Sequence, residues 1–282
     1  MTDAIAASLR AFLAKGQPVA LITVAEAQGS TPREMGARML VTERETRGSI
    51  GGGELEFRAI AQARDFLKLN SLPTVLDMAL GPELGQCCGG RVSVSIERAD
   101  ERALAYIEMA ERAAAATRPM VLLFGAGHVG RALARALSLL PFWVRWIDAR
   151  RDEFGTAPLG DNVEMIVTER WGEQVGRAPP GAAYVVLTHS HSLDSLIVSA
   201  VLERGDFAYC GLIGSLTKRR VFEHAFREIG IPEHRIARLV CPIGDRGVDD
   251  KRPEVIAALV TAELVEVFAK ARIDTGLGTE VT

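Results

Sequence analysis

Met120-Val121-Leu122-Leu123-Phe124-Gly125-Ala126-Gly127-His128-Val129-Gly130 joins a continuous apolar run to a Gly-x-Gly-x-x-Gly loop, and an amphipathic stretch follows from Val129 to Leu140. The order reads strand, tight turn, helix, the context in which such a loop receives a phosphate. Each glycine has a physical task. Gly125 allows the turn, Gly127 lets backbone amides approach an anion, and Gly130 lets the helix pack closely on the sheet with its N-terminus facing the ligand. Asp148 follows about 20 residues on, at the end of the next apolar run, where a carboxylate can bond a ribose hydroxyl. His128 is either a ligand contact or a locally hydrogen-bonded residue at the helix start.

Working outward, short apolar runs recur at Phe142 to Ile147, Val163 to Val167, Ala183 to Leu187 and Ala208 to Ile213, alternating with helical patterns at Leu193 to Leu202, Thr217 to Ile229 and Pro253 to Lys270. This alternation predicts a parallel sheet covered on both faces, a Rossmann-like domain over residues 119–282. The Ala-rich, charged stretch Asp100 to Arg118 ends at Pro119 and reads as a helix leading out of a preceding small α/β domain, residues 1–118. In that domain a helix is expected from Ile5 to Lys15 and another from Leu55 to Leu69. Strands are expected at Val19 to Ala25, Ala37 to Val41, Thr74 to Leu80 and Val92 to Ile96. The fold class expected for the whole is α/β.

Composition limits the functions available. The 282 residues are 48% hydrophobic and 24% charged, enough to bury two cores, and the net charge of -3 gives no field for sequence-independent nucleic-acid binding. The opening residues lack the basic-then-apolar order of a signal peptide, and no uncharged apolar run approaches about 20 residues, so no membrane span and a cytoplasmic location are expected. Of four cysteines, Cys87 and Cys88 are adjacent while Cys210 and Cys241 stand alone, a spacing suited neither to zinc nor to a disulfide framework.

Three loops of the first domain are unusual. Gln28-Gly29-Ser30-Thr31-Pro32-Arg33-Glu34-Met35-Gly36 interrupts a strand and gathers hydroxyls with an arginine, as an oxyanion-binding loop does. Gly48-Ser49-Ile50-Gly51-Gly52-Gly53-Glu54 opens a helix with free amides at Gly51, Gly52 and Gly53, or is a plain flexible turn. Gly85-Gln86-Cys87-Cys88-Gly89-Gly90 sets two thiols in a glycine loop, which suggests soft-metal or sulfur chemistry at Cys87 and Cys88; one small buried side chain beside an incidental thiol is the alternative. In the second domain, Thr188-His189-Ser190-His191 with Asp194 follows a strand at the ligand-binding edge. His189 and His191 there are candidates for hydrogen bonding to a bound group, with a helix cap at Ser192 or Asp194 as the bland alternative.

Together these segments resemble the XdhC/CoxI family of xanthine dehydrogenase accessory proteins. The resemblance also covers Leu55 and Glu56, Gly81-Pro82 with Leu84 onward, Gly211-Leu212-Ile213-Gly214-Ser215 with Lys218 and Arg219, and Pro242-Ile243-Gly244 leading to Pro253-Glu254. It implies binding of the molybdenum cofactor (molybdopterin), protection during sulfuration, and delivery to apo xanthine dehydrogenase, as a carrier more than a catalyst. Ser30, Arg33 and the Gly51 to Gly53 amides would hold the pterin phosphate, with Gln86, Cys87 and Cys88 near the metal. The implied partners are that enzyme, a cysteine desulfurase and the proteins of molybdenum cofactor biosynthesis. A nucleotide in the Rossmann-like domain remains open, and the competing function is an NAD-dependent oxidoreductase built on Gly125, Gly127, Gly130 and Asp148 with His189 or His191 as acid or base. A homodimer is expected because dimers are the commonest oligomer. The chain departs from the family pattern after Gly244, and the resemblance implies no role for Asp245, Arg246 or Asp249.

Overall fold

The computed structural model describes residues 5–80 and 89–274. The chain divides into two compact units, the first running through Ala116 and the second starting at Thr117.

In the first unit the elements are α1 (Ile5–Ala14), β1 (Ala20–Gln28), β2 (Arg38–Val41), β3 (Thr46–Gly48), α2 (Gly53–Leu69), β4 (Thr74–Ala79), β5 (Arg91–Arg98) and α3 (Glu101–Ala116). The strands form an antiparallel sheet in the order β3-β2-β1-β5-β4. Period-two alternation sends the residues of β1 to two cores. Ala20, Ile22 and Val24 join Leu55, Ala59, Ala63 and Phe66 of α2 in one, and Leu21 joins Leu9, Phe12, Leu104 and Ile107 of α1 and α3 in the other. The α2 residues recur at helical spacing, so one stripe of that helix is buried. α2 ends at Asn70, whose left-handed backbone (φ 48°) lets its N–H reach the Phe66 carbonyl.

β4 is one of the two edge strands, with β3 at the other side. The Leu80 N–H donates to the Gly90 carbonyl at 2.7 Å, which extends the β4–β5 ladder. Antiparallel alternation then turns the N–H and C=O groups of Thr74, Leu76 and Met78 toward β5 and those of Val75, Asp77 and Ala79 outward.

In the second unit the elements are β6 (Met120–Phe124), α4 (His128–Leu137), β7 (Trp143–Asp148), β8 (Val163–Val167), α5 (Trp171–Gly176), β9 (Ala183–Val186), α6 (His191–Arg204), β10 (Tyr209–Leu212), α7 (Leu216–Glu228), α8 (Glu233–Ile236), β11 (Leu239–Val240) and α9 (Pro253–Asp274). All six strands are parallel, in the order β11-β10-β9-β6-β7-β8. Counted from β6 this is the doubly wound Rossmann order, reversing between β6 and β9. Both faces are apolar. Leu122, Phe124, Tyr184 and Val186 pack under α6 and α7, while Val121, Leu123, Ala183 and Val185 pack under α4 and α9.

The α/β fold expected from the sequence is thus the fold observed, with an antiparallel first sheet. α4 stops at Leu137, three residues short of expectation, and the Asn162 Nδ2 lies 3.0–3.2 Å from the carbonyls of Leu137, Leu140 and Phe142 just beyond it. β3, α5, α8, β11 and a 3-10 turn at Arg151–Phe154 have no counterpart in the sequence reading. No helix among the described residues is long and apolar enough to cross a membrane.

Candidate functional site

The strand order places the reversal point beside the Gly125–Gly130 loop. Gly125 has φ 118°, and a Cβ there would lie 2.3 Å from the Leu187 carbonyl oxygen; a Cβ at Gly130 would lie 2.1 Å from that of Gly125. Both positions admit only glycine, because β6, β9 and α4 approach each other through bare backbone. At Gly127 a Cβ would meet nothing within 4 Å, so the space in front of the α4 N-terminus is open. No side chain caps that terminus. The N–H groups of its first turn have no intrahelical partner and face that space. His128, His189 and His191 are exposed.

From the sheet side, Trp146 holds the loop. Its Nε1 donates to the Gly125 carbonyl at 2.9 Å, and its ring meets Phe154 edge-on at 4.7 Å. Asp148 holds the loop from the strand end and is itself enclosed, 8% exposed. Its Oδ2 accepts the Ala126 N–H at 2.8 Å and Arg150 Nη2 at 2.9 Å; its Oδ1 accepts the Arg150 N–H at 2.9 Å and Nε at 3.0 Å. Burial opposes ionisation of this carboxyl, but the hydrogen bonds from Arg150 and Ala126 outweigh it and hold the pKa below the usual aspartate range. Arg131 continues the network, donating to the Ala126 and Glu153 carbonyls at 3.1 and 2.8 Å. The acid expected to read a ribose therefore has both oxygens occupied by the protein.

Between the ends of β6, β7, β8 and β9 lies a pocket of about 230 Å³. Phe124, Ile147, Trp171, Leu193 and Ile197 give it apolar walls, and Thr168, Glu169, Thr188 and His189 stand among its lining residues. Sequence reasoning missed Glu169 and Trp171. Their only signal was position, just after an apolar run that ends at Val167, on the edge where open sheets bind ligands.

Thr188 and Asp194 connect two of the sequence motifs. Asp194, 1% exposed, accepts the Thr188 N–H at 3.0 Å and its Oγ1 at 2.7 Å on Oδ1, and Lys218 Nζ at 2.7 Å on Oδ2. Lys218 Nζ also donates to the Ile213 carbonyl at 3.0 Å. The cap of α6 is Ser190, whose hydroxyl accepts the Leu193 N–H at 3.4 Å, so Asp194 is left to its ion pair. After Gly244, Arg246 reaches Glu266 of α9 at 2.7 Å, and Glu263 accepts the Gly244 N–H at 2.9 Å and the Tyr209 hydroxyl at 2.6 Å. That segment is tied to α9; Asp245 and Asp249 are exposed.

In the first unit the unusual loops meet at one end of the sheet. Pro32 covers Gly51, where a Cβ would come within 2.6 Å, and Arg33 Nη1 donates to the Ser49 carbonyl at 3.4 Å. A Cβ at Gly90 would lie 2.4 Å from the Ser30 carbonyl, so the segment that returns into β5 passes directly against Gly29 and Ser30. Ser30 and Arg33 are exposed, and Arg33 shares its charge with Glu34 at 3.2 Å. The amides that the sequence offers to an oxyanion are partly spent. Glu56 Oε2 accepts the Ile50 N–H at 3.1 Å, the Gly52 N–H at 3.0 Å and the Ser49 hydroxyl at 2.7 Å, and Ser49 Oγ accepts the Gly51 N–H at 3.1 Å. An acid in the first turns of a helix beside its N-terminal amides is a readable signal, and Glu56 carried it. Arg33 and Ser49 line a depression of about 450 Å³ that also includes Arg38 and Glu111.

Gln86, Cys87 and Cys88 lie outside the described residues. Among those described, no three His, Cys, Asp or Glu side chains converge as a metal site. Cys210 and Cys241 are buried, and burial pushes the Cys210 thiol up to about 12 and raises that of Cys241, which keeps both protonated and unreactive.

Two family models match the sequence, one described as the XdhC Rossmann domain over residues 121–264 and one as the XdhC and CoxI family over residues 12–75. The uncharacterized protein YqeB of Escherichia coli (strain K12) is 27% identical over 254 residues, which is 89% of this chain and 43% of that protein. The chain thus spans less than half the length of that curated relative. A crystal structure described as a xanthine dehydrogenase from Bacillus halodurans is similar in fold, with a TM-score of 0.75 at 19% identity and 96% of each chain covered.

Proposed function

The chain belongs to the XdhC family, and on that premise we propose that it is an accessory factor of xanthine dehydrogenase that binds the molybdenum cofactor, shelters it during sulfuration and hands it to the apoenzyme. The observation that carries the reading is the convergence of the first-unit loops. Ser30, Arg33 and the Gly51 to Gly53 turn share one end of the sheet with Gly89 and Gly90, the residues that close the segment holding Cys87 and Cys88.

The donor set fits such a cofactor in part. Arg33 is exposed and suits the pterin phosphate, with Ser30 close by in the same loop. The Ile50 and Gly52 amides do not suit it, because Glu56 already fills them. Cys87 and Cys88 supply the soft donors that a molybdenum dithiolene accepts. The bound cofactor supplies the metal and the sulfur; the protein's part is to hold the anionic end by charge and to exclude water. The partners in this reading are apo xanthine dehydrogenase, a cysteine desulfurase and the cofactor's biosynthetic proteins, with the carrier acting in the cytoplasm as a homodimer.

Anaerobic incubation with molybdenum cofactor, then gel filtration with metal and pterin analysis of the protein peak, tests this reading. Near-stoichiometric retention, lost in R33A and in C87S/C88S, is expected. Retention that survives both changes sinks it.

A second reading, an NAD-dependent oxidoreductase, is favoured by the open α4 N-terminus and the pocket at the strand reversal. It is disfavoured by the occupied carboxylate of Asp148. An NAD titration alongside the cofactor experiment decides between them.

A further inference from the structure

The sheet of the second unit ends at β8, which is bonded to β7 on one side and to no strand on the other among the described residues. The Asn162 carbonyl accepts the Val144 N–H at 2.9 Å, and the Thr168 N–H donates to the Asp148 carbonyl at 3.1 Å. The even-numbered residues of β8 therefore spend their backbone groups on β7, and Val163, Met165 and Val167 turn theirs outward.

The face beside this edge is bare as well. Val163 packs in the core under α4 and α9 while Ile166 packs in the core under α6 and α7, and period-two alternation puts Met165 and Val167 on the Val163 face. A right-handed crossover from β7 to β8 would lay a helix over that face, on the same side as α4. The chain between the two strands holds only the 3-10 turn at Arg151–Phe154, and the Phe154 ring is turned onto Trp146. Met165 is consequently 56% and Val167 40% exposed, an apolar pair on an unpaired edge. Neither proline nor lysine guards it: the strand reads Val-Glu-Met-Ile-Val, and its one charge, Glu164, lies on the opposite face, 3.5 Å from Arg145.

We propose that β8 is the self-association edge of this protein: a second copy adds its own β8 antiparallel about a two-fold axis through Met165, joining the two parallel sheets into one. The strand is self-complementary in that register. Val163 stands opposite the partner's Val167, Met165 opposite the partner's Met165 and Glu164 opposite the partner's Ile166, so no like charges meet directly. All three outward-facing residues pair, which adds about six backbone hydrogen bonds. An axis one residue earlier sets the two Glu164 carboxylates face to face, and one residue later leaves Val163 unpaired. The contact is isologous and consumes the edge of both copies, so it closes at two; the far edge of the sheet, β11, is only two residues long. A surface of this extent is at the small end for dimers, so association depends on concentration. The proposal gives the homodimer of the carrier reading its interface and does not depend on cofactor binding.

The test is sedimentation velocity of the full chain over a concentration series, in the wild type and in M165K, with circular dichroism as the control for folding. Disulfide trapping accompanies it, comparing M165C with E164C in a C87S/C88S background whose remaining thiols, Cys210 and Cys241, are buried. Across the axis the two copies of residue 165 have Cα atoms about 5.5 Å apart, inside the roughly 4.4–6.8 Å that a disulfide spans. The two copies of residue 164 lie diagonally, at about 7–8 Å, too far to bridge without movement. The expected result is a wild-type dimer, a dissociation constant raised roughly tenfold or more by the two like charges of M165K, and rapid bridging of M165C but not of E164C. A wild type that stays monomeric at about 100 µM, a dimer that folded M165K leaves intact, or an M165C that bridges no faster than E164C overturns the proposal. Should M165K fail to fold, the cysteine pair decides alone. Cofactor retention is read in a separate experiment, so a dimer on this edge that retains no molybdenum cofactor sinks the carrier reading and leaves this one standing, and a carrier that dimerises elsewhere does the reverse.

Discussion

Lys218→Met tests the buried ion pair that joins the Thr188–Asp194 and Gly211–Ser215 segments. Lys218 is only 12% exposed in its side chain and Asp194 1%, so little of their interaction is screened by solvent. Methionine keeps most of the stem volume but removes two bonds, to Asp194 Oδ2 at 2.7 Å and to the Ile213 carbonyl at 3.0 Å. Asp194 then remains a buried anion held by Thr188 alone. Removing one partner of a buried pair costs about 3–5 kcal/mol, mostly through the charge left behind. For a unit of this size that lowers the melting temperature by roughly 6–20 °C. The assay is calorimetry with urea unfolding of the wild type, K218M and D194N/K218M. The double variant removes the stranded charge and should be at least about 1 kcal/mol more stable than K218M. A drop below about 2 °C in K218M, or a double variant less stable than the single, would refute the reasoning.

Three further outcomes are expected. The pKa of Asp148 is lowered in the folded chain, so its stabilisation is complete above the unfolded aspartate value of about 3.9 and is lost as pH falls through the lower folded value; urea midpoints of D148N should vary less than wild type below pH 4. G130A should unfold or fail to accumulate, because its methyl group would sit 2.1 Å from the Gly125 oxygen, while G127A should melt within about 0.5 kcal/mol of wild type. E56A strands the Ile50 and Gly52 amides and should destabilise the first unit by about 1–3 kcal/mol, measured by urea unfolding.

The parts of the fold that were legible in sequence are those with a full period. Met120 to Phe124 and the glycine loop marked a strand, a turn and a helix start, and two of the glycines, Gly125 and Gly130, answer backbone contacts that no side chain could tolerate. β3 and β11 escaped because three and two residues carry no alternation to detect, and α5 because six residues make less than two turns. At the site, sequence found the loops but not their occupancy. The Asp148–Arg150 clamp and the Glu56 bonds satisfy by internal acids and bases what looked like open ligand positions. Lys218 meets Asp194 across 24 residues, a pairing that only the parallel order of β9 and β10 creates.

The open side of β4 has a consequence for the chain's behaviour in a crowded solution. Val75, Asp77 and Ala79 offer unpaired backbone groups along an edge that no other strand covers among the described residues, and Leu72 and Val75 beside it are exposed. Such an edge invites a foreign strand to add on and seed aggregation. Pro73, just before the strand, cannot donate to an added ladder, and an incoming strand would have to set its own side chains beside the exposed Asp77 carboxylate. Pro73 and Asp77 thus guard this edge of the first unit against strand-on-strand aggregation.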